Sequence, residues 1–132
     1  MKLLLVLFTV TIVVAQIILP PEIIKMLLRY NNECKTESGA TPQMIMAAIG
    51  GEIEDNPMMR QHLICLGKKL NYIDADGHLQ RDSIKIGMMR VLKDETKIDN
   101  ALDKCLVDKD TSEDTVFNAI KCISDNRDSI MG

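Results

Sequence analysis

The chain has 132 residues, 16 of them basic and 19 acidic; 46% are hydrophobic but only 3% aromatic. A net charge of −3 excludes an ordinary nucleic-acid partner, since phosphate binding draws on clustered Lys and Arg. The length supports one domain with a modest core, because a chain of this size buries only about two-thirds of its unfolded surface.

At the N-terminus Lys2 precedes an apolar run over residues 3–14, interrupted only by Thr9 and Thr11, and Val13-Val14-Ala15 ends in a small residue. This is the pattern of a secretion signal, with cleavage expected after Ala15. The run falls well short of the roughly 20 apolar residues that span a bilayer, so no membrane insertion is expected. The mature domain is then residues 16–132. Losing Lys2 leaves 15 basic residues against 19 acidic ones, a net charge near −4, which suits a protein kept soluble in extracellular fluid.

The periodic segments all read as helix. Pro20-Pro21 stops the exposed N-terminus, and a first helix is expected after it over residues 22–35, with Ile23, Ile24, Leu27 and Leu28 on one face. Thr41-Pro42 is a cap followed by proline at the first helical position, and the short helix it starts is closed by Gly50-Gly51. Asn56-Pro57 repeats the signal for a third helix over residues 58–70, which carries Met59, Leu63, Leu66 and Leu70. After the turn at Asp74-Ala75-Asp76-Gly77 a fourth helix, residues 80–93, places Ile84, Met88, Val91 and Leu92 on one stripe. Two further helices are expected over residues 96–107 and 112–124, giving an all-α domain of six helices. The aspartates before Gly77 do not make a calcium loop, since the twelfth position, where that loop needs a bidentate Glu, is Lys85.

Cys34, Cys65, Cys105 and Cys122 are separated by 30, 39 and 16 residues. In an oxidising compartment they form two disulfides, with three connectivities open. Zinc would want ligands a few residues apart, and His62 and His78 are the only histidines. No nucleophile elbow or metal-binding His pair is present, so neither an enzyme nor a cofactor is indicated. The mature chain carries eight methionines, one phenylalanine and no tryptophan, which is consistent either with gap filling between helices or with a cavity whose walls re-pack around varied ligands.

The signal, the six helices and the placing of the cysteines resemble the insect pheromone- and odorant-binding protein family. Its members typically have six cysteines, the second lying four positions before the third and the fifth nine before the sixth. Here those positions are Gln61 and Glu113, so the chain resembles the four-cysteine branch, in which one whole bridge is lost. The resemblance implies the pairs Cys34–Cys65 and Cys105–Cys122, and a domain folded around an apolar cavity. It further implies reversible carriage of odorants, pheromones or other small hydrophobic molecules in a secreted fluid such as sensillar lymph. The expected partners are those ligands and an olfactory receptor, with the protein a monomer or weak homodimer.

The cavity wall is expected from Met59, Leu63 and Leu66 of the third helix, Ile84, Met88 and Val91 of the fourth, Leu106 of the fifth, and Phe117 and Ile120 of the sixth. Tyr30 and Tyr72 offer hydroxyls to a polar ligand head. His62 is the better placed histidine for pH-driven release, although a surface position without a role is the plain reading of either histidine. The ten residues after Cys122 are expected to be too short to fill the cavity as a helix but able to cover its mouth. Two rival readings are a secreted signalling or inhibitory protein acting through its surface and a carrier of lipids or hormones outside olfaction.

Overall fold

The computed structural model describes residues 20–131, and the expected signal over residues 1–15, with its cleavage point, lies outside them. Seven helices are present among the described residues: α1 (Pro21–Ser38), α2 (Pro42–Ile49), α3 (Pro57–Lys69), α4 (Arg81–Met89), α5 (Glu95–Cys105), α6 (Ser112–Asp125) and α7 (Arg127–Met131). The first three each begin with proline, whose missing N–H costs nothing in a first helical turn. Side-chain caps fix four starts. Thr41 accepts a hydrogen bond from the Met44 N–H and Asn56 from Met59, while Asp94 and Thr111 do the same for Lys97 and Asp114. Gly39, at φ 75°, ends α1 in the left-handed conformation that glycine adopts without strain.

Helix α1 lies along α3, and α3 in turn packs on α6, which packs on α5; α4 closes the other side of α5. Disulfides tie two of these seams, Cys34–Cys65 between α1 and α3 and Cys105–Cys122 between α5 and α6, with Cα–Cα distances of 5.6 and 5.4 Å. These are the pairs that the family resemblance implied. Ile84, Ile98, Ala101, Leu102 and Ile130 form the buried centre, with Leu79, Leu92 and Ile123 packed against it.

Three expectations need correction. Helix α4 stops at Met89, four residues early, because Asp94 must leave helical backbone (φ −91°, ψ 95°) to cap α5, which consequently starts at Glu95. Val91 therefore falls in the connection and is 45% exposed. The chain after Cys122 is not a loose cover: Asn126 donates to the Cys122 carbonyl at 2.7 Å, the chain turns, and α7 delivers Ile130, only 6% exposed, into the core. Arg127 also donates to the Ile49 and Gly50 carbonyls, holding α7 to the end of α2.

Candidate functional site

The four-residue rhythm of α3 brings Leu63, Leu66 and Gly67 to one side, with Leu70 just past the helix end, and α6 answers with Val116, Ala119, Ile120 and Ile123 at the same spacing. Ile84 and Met88 of α4 and Leu106 after α5 complete a half-enclosed cavity of about 270 Å3. Tyr72, Ile73 and Leu79 floor it from the connection between α3 and α4. That connection is pinned in place. Tyr72 and Ile73 donate to the Gly67 carbonyl, Ile73 pairs with Leu79 across an antiparallel bridge, and Asp74 accepts from the backbone N–H groups of Asp76 and His78 at 3.0 and 2.8 Å. The aspartate is thus spent on a turn. Gly67 is needed because a Cβ there would lie 2.8 Å from Ile73 Cγ1.

Every lining side chain is apolar except for the Tyr72 hydroxyl. Such a wall offers a ligand the release of water from apolar surface, at roughly 25 cal/mol per Å2, and almost no directional bonding. The volume sits near the small end of ligand pockets, which begin at about 300 Å3.

Of the nine side chains expected at the wall, Leu63, Leu66, Ile84, Met88, Leu106 and Ile120 border this cavity. Met59, Phe117 and Val91 lie elsewhere. Met59 and Phe117 are buried; the Arg60 guanidinium lies 4.5 Å above the Phe117 ring, so this residue serves the α3–α6 seam. The methionines do not gather around the cavity: Met88 is the only one in its wall among the described residues, while Met46, Met58 and Met89 are exposed. Gap filling and surface positions account for most of them. Leu70 stands on the α3 stripe already legible in the sequence, and a period count along α6 finds Val116, Ala119 and Ile123. Only the folded turn brings in Ile73 and Leu79.

Two polar groups sit beside the wall on α3. His62 is not a surface residue: it is 1% exposed, with Nε2 at 2.6 Å from Asn31 Oδ1 and Nδ1 at 3.1 Å from Ser38 Oγ. Burial pushes its pKa below the usual histidine value, an effect that the Cys34 backbone opposes. Arg60 pairs with Asp55 and Asp114, both at 2.6 Å, and holds both carboxyls below the usual aspartate range. Gln61 and Glu113, the positions of the family's third bridge, line one shallow surface hollow next to this cluster.

A disulfide-braced helical shell around a small apolar cavity defines a binding protein for small hydrophobic molecules. Residues 18–126 match the PBP/GOBP family, and the chain belongs to that family of odorant-binding and carrier proteins. It is similar to the B2 and B1 proteins of Tenebrio molitor, with 34% identity over 86% of this chain and 89% of the relative, and 33% over 84% and 85%. Among solved structures it is similar to the THP12 carrier protein of the yellow meal worm, at 33% identity and a TM-score of 0.60 over 74% of this chain and 90% of that one. A fatty acid binding protein, OBP56a, from the oral disk of the blowfly Phormia regina shares the fold, with a TM-score of 0.67 at 20% identity over 84% of this chain and 96% of that one. No helix among the described residues is long and apolar enough to cross a membrane.

Proposed function

We propose that the protein, released as residues 16–132, carries small hydrophobic molecules such as odorants, pheromones or other volatiles reversibly through an extracellular fluid such as sensillar lymph, and delivers them to a receptor as a monomer or weak homodimer. The observation that carries this reading is the apolar cavity between α3, α4 and α6, together with membership of a carrier family and likeness to a meal worm carrier protein. Leu63, Leu66, Ile84, Met88, Leu106 and Ile120 would contact the ligand, with apolar burial as the driving force. No covalent step is involved.

Displacement of an uncharged fluorescent probe from the oxidised protein by alcohols, esters, terpenoids and aromatics tests the reading. Saturable uptake at one site per chain is expected, and Ile120→Trp, which fills the cavity from α6, should weaken uptake by about tenfold or more while helicity is kept. A folded protein that takes up no probe would instead favour a role played through its surface.

A further inference from the structure

A second hollow of about 280 Å3 adjoins the apolar cavity, between α1, the end of α3 and α4. Leu70 and Tyr72 border both, so they form the partition between them. The two sides differ in chemistry because α4 is two-faced. Ile84 and Met88 look into the apolar cavity, while Ser83, Gly87 and Arg90, spaced along the adjacent face, border the second hollow.

The Tyr72 ring crosses this boundary. A Cβ at Gly87 would occupy the space of the Tyr72 hydroxyl and lie 3.0 Å from Cε1, so the phenol rests directly on the glycine. Gly87 borders only the second hollow. The tyrosine therefore shows its ring to the apolar side and its oxygen to the polar side. That oxygen has no hydrogen-bond partner among the described residues, yet no fully buried side-chain oxygen or nitrogen lacks one, so the hydroxyl opens into the hollow. Arg90 likewise has no ion-pair partner among the described residues, and no Asp or Glu borders the hollow. Lys69 lines it too, but Glu33 matches its charge at 2.7 Å, which leaves Arg90 as the source of positive potential. Burial raises the Tyr72 pKa while Arg90 opposes the rise, so at neutral pH the phenol is a hydrogen-bond donor.

We infer that this hollow is a head-group subsite that takes the carboxylate of an aliphatic acid, with Tyr72 donating to it and Arg90 pairing with it, while the hydrocarbon chain runs past the Tyr72 ring into the apolar cavity. The inference rests on the carrier reading and narrows it from apolar molecules in general to elongated acids. It assigns selectivity to groups that a purely apolar ligand never engages, because charge-assisted hydrogen bonds are about twice as strong as neutral ones.

Octanoic acid and methyl octanoate, compared as competitors of the uncharged probe at pH 7.5, separate the two claims. The acid should bind about tenfold more tightly than its ester, and Arg90→Gln and Tyr72→Phe should each collapse that preference toward parity. Neither substitution removes core packing, and melting temperatures confirm the fold of each variant. Equal affinity of acid and ester in the unaltered protein would overturn the subsite and leave the carrier standing. A preference for the acid that survives both substitutions would overturn the assignment to Tyr72 and Arg90. Failure of the folded protein to take up the probe or either competitor would overturn the carrier reading and the subsite with it.

Discussion

Helix α3 is held along two faces by opposite means. Against α1 it is fixed by the Cys34–Cys65 bridge and by His62, buried between Asn31 and Ser38. Against α6 it has no covalent tie; Arg60 reaches across to Asp114, with Glu113 at 3.7 Å, and covers the Phe117 ring. The first seam is covalent and buries His62, with the Lys69–Glu33 pair at 2.7 Å near its surface, whereas the second depends on charge pairs in place of a covalent tie and so is the more strongly screened by ions. The cavity opens beside the second seam, since Leu63 and Leu66 on α3 face Val116 and Ile120 on α6. At the positions where a six-cysteine member of the family would carry a third bridge, Gln61 and Glu113 leave this wall of the cavity without a covalent tie.

Turning the second seam into a copy of the first gives the largest expected effect. Gln61→Cys with Glu113→Cys, oxidised, should stabilise the fold by about 4 kcal/mol through the unfolded state, read as a rise in melting temperature. It should also narrow the range of competitors that displace the probe. An unchanged range after the bridge is verified by mass would show that the α3–α6 seam does not govern cavity plasticity.

Weakening the ionic seam should act in the other direction and less strongly. Arg60→Met keeps an apolar cover for Phe117 but loses both carboxylate partners. The melting temperature should fall at low ionic strength, and the deficit should shrink at about 1 M salt, where the screening length is only about 3 Å. A deficit that salt does not change would mean that packing on Phe117, not charge, holds the seam. The carboxyl pKa values of Asp55 and Asp114 are depressed by their hydrogen bonds to Arg60. Their contribution is therefore present above the ordinary aspartate value of about 3.8 and is lost as the pH falls through the depressed values.

The helices were legible in sequence wherever a cap and a proline stood together, as at Thr41-Pro42 and Asn56-Pro57, because those residues act on their own backbone. The end of α4 was not, since the competing demand of Asp94 for extended backbone comes from the next helix. Nor was α7, whose five residues are too few to show a period. At the site, periodicity marks which residues point inward but not what lies inside. Leu63 and Met59 share one stripe, yet one borders the cavity and the other fills solid core. His62 was misread for a related reason: its partners, Asn31 and Ser38, are 31 and 24 residues away in sequence, and one polar residue in an apolar helix says nothing of them.

The first seam has a sensitivity of its own, and it is the smallest effect expected. With the proton of the neutral His62 ring on Nε2, Asn31 Oδ1 accepts from it and Nδ1 accepts from Ser38, whose oxygen takes the Ala40 N–H at 3.1 Å, so this tautomer satisfies all of these contacts. Protonating Nδ1 sets a second donor against the Ser38 hydroxyl inside a buried site. Because the folded-state pKa lies below the unfolded value of about 6.5, the seam's stability is full above that pH and is lost as the pH falls from there through the lowered value. Melting temperature should therefore decline between pH 7.5 and 5.5, well above the range in which Asp55 and Asp114 titrate. His62→Gln should flatten that decline, while His78→Gln, in the exposed turn, should leave it intact. An identical slope in the His62 variant would remove histidine from any acid response of this carrier. A flattened slope would place the acid-sensitive joint on the covalently tied side of α3, the same helix that lends Leu63 and Leu66 to the cavity wall.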